Sequence, residues 1–577
     1  MSTTLNHTAA LLDEPHHDGS ELYVRDGVLR VHVPRAVDTV ALRYVEDGEG
    51  RAVEAEPEGE GWWSARLPTT NPLMRYRWLL SGGDYSYSWL NGLGVVDHDV
   101  PDADDFVLSL DAGGPGWHAE SVVYEIFPDR FARGGLDAEP PDWAIPREWD
   151  ELPTGRGPET PYEWFGGDLR GIEQRLDYIE RLGANVIYLT PVFPAGSTHR
   201  YDSTTFDRVD PLLGGDEALE SLVRAAHARG LRVISDLTTN HTGDQHEWFV
   251  NGERDLYLFD ESGDYESWWG IKTLPKLNWR SAELRARIQA VTRKWLDEPF
   301  LLDGWRVDVA NMTGRTGATD VNADVAPTLR EVLNDDSVLV AEHFHDFRPD
   351  AHGWHGVMNY AGFSKPVWMW LRRDAEIPNL GLPGPMPHLS GSASVATMRA
   401  FRAGVPWEFV LHSWAILDSH DTPRFRTMAG SRERQLVGVG LQMTTPGVPM
   451  VFAGDELGLE GEWGEDARRT MPWDRREVWD EELLKSYRRL IELRRSSPAL
   501  ARGGIRYAFV DDDVIAYLRE TPDERLLCLA SRASHEPIRL PFPSLETLYG
   551  DEPEVDGGEA VLPAEGPAFH VWRLTNG

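Results

Sequence analysis

Arg306 and Asp308 stand two apart in Gly304-Trp305-Arg306-Val307-Asp308, behind the apolar lead-in Phe300-Leu301-Leu302. Read as a buried strand, this stretch sends both side chains out of one face, so a guanidinium and a carboxylate meet at the strand's carboxyl end. An arginine placed there keeps the carboxylate ionised and aims its oxygens, as a nucleophilic carboxylate requires. A lone pair of this kind is equally a structural ion pair. Three other apolar runs also end in chemistry-bearing residues: Asp236 with Asn240-His241, Glu342-His343, and His420-Asp421. Taken singly, each could be a turn, a cap or a satisfied core histidine. Four such endings call for one common explanation, and separate carboxyl groups with His and Arg suit acid, base and covalent chemistry.

Positioning such a set needs strands that all end on one side. From Val122-Val123-Tyr124-Glu125-Ile126 onward, strands and helices alternate. Ile172, Leu176, Ile179 and Leu182 fall at helical spacing before the strand Val186 to Leu189. Leu219, Leu222, Val223 and Ala226 do the same before Leu231 to Ile234, and further runs lie at Val338 to Ala341, Val410 to Leu417 and Val448 to Phe452. This alternation over residues 120–500 predicts a (β/α)8 barrel with enlarged loops, including a small inserted loop domain at about 242–282. An open doubly wound sheet would usually carry a Gly-rich phosphate turn after its first strand, and none is present. The helix with Leu483, Leu484, Tyr487, Leu490 and Ile491 closes the barrel. Period-two patterns on either side predict an N-terminal β-sandwich over 21–112 and a C-terminal β-sandwich over 501–577. In the first, Met74, Tyr76 and Trp78 face Tyr85, Tyr87 and Trp89 across a Gly82-Gly83 turn. The linker runs from Asp111 to Gly116, and residues 1–20 read as a disordered tail.

A formal net charge of -38 disfavours nucleic acid and anionic membranes as partners. The 23 Trp, 17 Tyr and 19 Phe instead suit faces of sugar rings. The single cysteine, Cys528, lies in an apolar run and excludes disulfides within the chain. No signal peptide or membrane-length apolar run is visible, which predicts a cytoplasmic protein.

Four segments together resemble the α-amylase family of glycoside hydrolases: Asp236 to His241, Gly304 to Asn311, Ala341-Glu342-His343-Phe344-His345, and Ser419-His420-Asp421. Tyr124 to Phe131, Leu274-Pro275-Lys276-Leu277-Asn278 and Met358-Asn359-Tyr360 look most like its neopullulanase, cyclomaltodextrinase and maltogenic amylase group. The resemblance implies Asp308 as nucleophile, Glu342 as acid and base, and Asp421 as the third carboxylate gripping sugar hydroxyls. It implies substrate contacts from Tyr201, His241, Arg306 and His420, and Phe344 and Arg468 complete the expected binding set. Asp236 and Asn240 are expected to brace their loop through nearby backbone. The implied activity is hydrolysis, with retention, of α-1,4 bonds in short or cyclic α-gluco-oligosaccharides, with α-1,6 bonds left open. A homodimer through the N-terminal domain is implied as well.

The chain departs from that group in places. Arg133-Gly134-Gly135-Leu136 stands where calcium ligands are frequent, so the expectation is no cofactor and no metal, calcium being the one ion left open. Met312 replaces a common Glu, His343-Phe344 a common Val-Trp pair, and the Asp-to-Arg spacing in Gly464 to Arg469 is shifted. Rival readings are an exo-acting α-glucosidase and a glucan transferase using the same intermediate. A catalytically dead scaffold is disfavoured because all three carboxylates are present.

Overall fold

The computed structural model describes residues 11–68, 71–110, 113–136, 138–379, 382–462 and 464–575. Eight parallel strands close into a barrel: β1 Val123–Ile126, β2 Val186–Leu189, β3 Arg232–Thr238, β4 Gly304–Asp308, β5 Val338–His343, β6 Gly356–Asn359, β7 Trp414–Ile416 and β8 Val448–Phe452. β1 pairs with both β2 and β8, which seals the ring. Helices such as Gly215–His227, with Leu219, Leu222, Val223 and Ala226 buried, cover the outside. Because sheet and helix each bury an apolar face only against the other, the strands are buried on both sides and read as near-continuous apolar runs.

That double burial explains where the sequence pattern misled. The run from Val410 belongs first to a helix, Trp407–His412, entered through Pro406, and only Trp414–Ile416 is strand. Short apolar runs do not separate the two states by periodicity. β6, four residues carrying Met358 and Asn359, offered no run at all. Phe300 to Leu302 is loop, with Leu301 at φ 55°, and β4 begins at Gly304.

The inserted segment lies between β3 and the helix Ala282–Leu296. It holds the short helix Glu247–Val250 and the 3-10 turns Arg254–Leu256 and Trp268–Gly270, laced by isolated bridges such as His241↔Lys276 and Ser267↔Pro275. On the N-terminal side a four-stranded sheet faces a six-stranded one. Leu29, Val31, Leu42, Trp78 and Leu80 lie in the core between them. Met74, Tyr76 and Trp78 point inward as expected, but Tyr87 is 43% exposed and its hydroxyl donates to Asp99. The C-terminal sandwich packs a five-stranded sheet on a three-stranded one. Cys528 is buried there, its thiol pushed up to about 12 by burial.

The tail expectation needs correcting for residues 11–20; residues 1–10, like Asp111 and Ala112 of the linker, lie outside the described residues. His16 bridges His32, and the His17 ring bonds the Tyr76 hydroxyl at 3.0 Å. Asp18 accepts the Ile505 amide at 3.0 Å, and Arg506 reaches the Leu12 carbonyl. This arm lies between the first and last domains. It showed no periodicity because each polar side chain has its own particular partner.

Candidate active site

Strand register sets the catalytic geometry. Thr238 of β3 stands beside Asp308 of β4, and Val307 of β4 beside Ala341 of β5, so Asp308 and Glu342 emerge from adjacent strands at the carboxyl rim. Arg306, fully buried, is the hub. Its Nη1 donates to Asp308 Oδ1 at 3.1 Å and to Asp236 Oδ2 at 2.8 Å. Its Nη2 lies 3.0 Å from Glu342 Oε2. Glu342 Oε2 also accepts the Val309 amide at 2.7 Å. Val309 adopts φ 34°, the left-handed region that a β-branched residue avoids, so backbone strain directly after Asp308 accompanies an amide aimed at Glu342.

Asp236 does brace, but not through nearby backbone. It takes Tyr188 Oη at 2.6 Å and Tyr201 Oη at 3.0 Å besides Arg306, which makes it a cross-barrel anchor for the guanidinium. Tyr201 stacks on His420 with ring centroids 5.7 Å apart and 11° between planes, and its hydroxyl lies 2.8 Å from His420 Nε2. His420 Nδ1 meets Glu125 Oε1 of β1 at 2.6 Å, and Nε2 lies 3.1 Å from Asp421 Oδ2. Arg468 donates to the His420 carbonyl at 2.7 Å and to Asp421 Oδ1 at 3.1 Å, and pairs with Glu465. Asp421, whose side chain is 38% exposed, is the member of this network most open to a ligand.

The electrostatics divide the site in two. Burial pushes Asp308 and Glu342 up, and their mutual repulsion adds to it on Asp308, while Arg306 pulls both down. Two carboxyls against one guanidinium titrate together, both displaced upward by burial. On the other side, burial would lower His420, but Asp421 and Glu125 outweigh it and hold the imidazole up at about 10. Burial likewise raises Asp421, and the His420 cation followed by Arg468 overcomes it, keeping that carboxyl below the usual range.

Asp308, Glu342, Asp421, Arg306, His420, Tyr201 and Arg468 thus form one connected network. His241 sits at its edge: Asn240 contacts its Nδ1 at 3.0 Å, its ring stacks on Trp268 at 5.8 Å, and burial lowers it to about 3. Phe344 lies beyond Glu342 against Tyr360, 4.7 Å between centroids, with Lys365 over its face at 4.3 Å. Sequence reasoning gave no role to Glu125, Tyr188, Glu465 or Trp268. Glu125 left a signal: a carboxylate inside the apolar run Val123 to Ile126 has no structural reason to be there unpaired. Trp268, stacked at 4.7 Å on the 75% exposed Trp269, left none, since the insert has no periodicity to read.

The family description "Alpha amylase, catalytic domain" matches residues 125–269 and 253–366, spanning β1 to β6. Neopullulanase 2 of Thermoactinomyces vulgaris is 30% identical over 484 residues, 78% of this chain and 76% of that protein. The chain belongs to the α-amylase family of glycoside hydrolases. A cyclomaltodextrinase of Geobacillus thermopakistaniensis is 30% identical over 84% of this chain and 81% of its own length. Among solved structures, cyclic α-maltosyl-(1→6)-maltose hydrolase of Arthrobacter globiformis is 30% identical, with a TM-score of 0.66. It covers 80% of this chain and 100% of its own, and its structure in complex with cyclic α-maltosyl-(1→6)-maltose is also known. This α-amylase-family chain is therefore a hydrolase similar to enzymes named for α-glucans.

Proposed function

We propose that this enzyme hydrolyses short or cyclic α-glucans, at α-1,4 and in mixed rings α-1,6 bonds, by double displacement with retention. The observation that carries the mechanism is Arg306 touching Asp308 and Glu342 at once. An inverting pair stands about 6.5–9.5 Å apart to admit a water, whereas a shared guanidinium draws the two carboxyls together. The proton of the pair belongs on Glu342, whose Oε1 is free of the contacts that occupy Oε2. Asp308 attacks the anomeric carbon as the glycosidic C–O bond breaks, and the Glu342 proton passes to the leaving oxygen. Glu342, now ionised, takes a proton from water, which displaces Asp308 and releases an α-anomer. The anionic Asp421 and cationic His420 grip ring hydroxyls, and Tyr201 faces the sugar.

The names of the relatives support the small or cyclic substrate. The enzyme works in the cytoplasm, needs no metal, and acts as a homodimer in which the N-terminal sandwich of one subunit narrows the site of the other. No described helix is long and apolar enough to cross a membrane. kcat/KM should be higher on cyclodextrins, cyclic maltosyl-maltose and maltotriose than on starch or pullulan, with the α-anomer first in proton NMR. A polymer ahead of every small substrate, or early β-anomer, would refute this reading.

A further inference from the structure

The residue after the acid, His343, is 4% exposed and belongs to a network that the reaction above does not use. Its Nδ1 accepts the His345 amide at 3.3 Å, which leaves the Nε2 proton to be donated to Asp350 Oδ2 at 3.0 Å. Arg315 holds the same carboxylate bidentately, Nη1 to Oδ2 and Nη2 to Oδ1, both at 2.7 Å. Arg315 Nη1 also donates to the Asn311 carbonyl at 2.8 Å, three residues beyond the nucleophile, and Nε to Asp320 at 3.0 Å. Asp350 is thereby fixed between the end of β5 and the loop leaving β4. On the far side of the acid, Lys365 Nζ donates to the Phe344 carbonyl at 3.1 Å.

We infer that His343 is a positioning residue, which clamps the Glu342 end of β5, through Asp350 and Arg315, to the loop that follows the nucleophile. The Val309 amide fixes one oxygen of Glu342 and the clamp fixes the backbone that carries it, so the free oxygen is held toward the leaving group from both strands at once. A bidentate Arg–carboxylate pair is rigid in a way that a single contact is not. Proton transfer to a leaving oxygen tolerates little displacement, and a misplacement of about 1 Å can cost about a hundredfold. Departure of an anion that needs no proton tolerates more. The inference rests on the retaining mechanism proposed above.

The test compares a maltooligosaccharide with α-maltosyl fluoride, whose leaving group departs with little acid assistance. His343→Val should lower kcat/KM, which reads only the steps up to the glycosyl-enzyme, by roughly tenfold or more on the oligosaccharide and by less than about threefold on the fluoride. His343→Gln, which retains an N–H donor, should recover most of the loss. Arg315→Lys keeps the charge but not the fork and should reproduce the selective defect, which covers the case in which His343→Val does not fold. His343→Val combined with Asp350→Asn should lose little more than either alone. Equal losses of kcat/KM on both substrates, an unchanged kcat/KM on the oligosaccharide, or additive losses would overturn the clamp and leave the retaining mechanism standing. A wild type that turns over the fluoride but no α-glucan would overturn both.

Discussion

Arg306 is a single charge asked to serve Asp236, Asp308 and Glu342, and the consequences are measurable residue by residue. Asp308→Asn and Glu342→Gln preserve shape and remove charge or proton transfer. Each should lower kcat by roughly a thousandfold or more, about 4 kcal/mol of barrier, with the fold intact by circular dichroism. Activity within about tenfold of wild type would refute the assignment. His420 gives a prediction about stability. Its folded pKa is raised from 6.5 to about 10, so the stability it lends is complete below pH 6.5 and is lost as pH rises through about 10. The gap in melting temperature between wild type and His420→Asn should therefore be widest near pH 6 and close toward pH 10; a gap that does not change with pH would show that the imidazolium is not what stabilises the site. At this scale the sequence was legible where a residue stood at the end of a strand. It was silent on partners that reach in from another strand, such as Glu125 on β1 and Tyr188 on β2, because a contact across a barrel leaves no spacing in the chain.

Elements tell a similar story with a different cause. Seven of the eight barrel strands were marked by apolar runs within or just before them, since strands covered on both faces are largely apolar. β6 did not, because Gly356 and Asn359 leave only Val357 and Met358 between them, and the Asn359 side chain turns to accept the Gly362 amide at 2.8 Å. The loop after Phe131 shows what replaces the expected ligands. Arg133 Nε donates to the Phe165 carbonyl at 2.7 Å and Nη2 to the Arg147 carbonyl at 3.1 Å, and Asp168 accepts the Gly134 amide at 2.8 Å. These oxygens accept from a guanidinium and an amide, and the proposal that the enzyme needs no metal rests on that use of the loop. Chelator treatment should leave kcat unchanged and shift the melting temperature by less than about 1 °C, whereas a site worth about 3 kcal/mol would move a chain of this size by about 2.5 °C. A large loss restored by added calcium would show that a metal site had been overlooked.

For the whole molecule, the barrel was legible from its rhythm and the two sandwiches from a change of period, but how the parts are fastened together was not. Analytical ultracentrifugation should find twice the 65.0 kDa chain mass at micromolar concentration, with an interface burying on the order of 2,000 Å² or more. A monomer with full activity on small substrates would remove the dimer from the argument. Deleting the N-terminal sandwich would be a poor way to ask the question. The arm at residues 11–20 bonds Tyr76 of that sandwich through His17, and through Asp18 and the Leu12 carbonyl it bonds Ile505 and Arg506 of the last domain. The fold works as a clasp, with residues 11–20 fastened to the first strand of the last domain. Excising either sandwich would open that clasp and disturb the other, so the proposed pairing of subunits is to be probed by single substitutions on the outer surface.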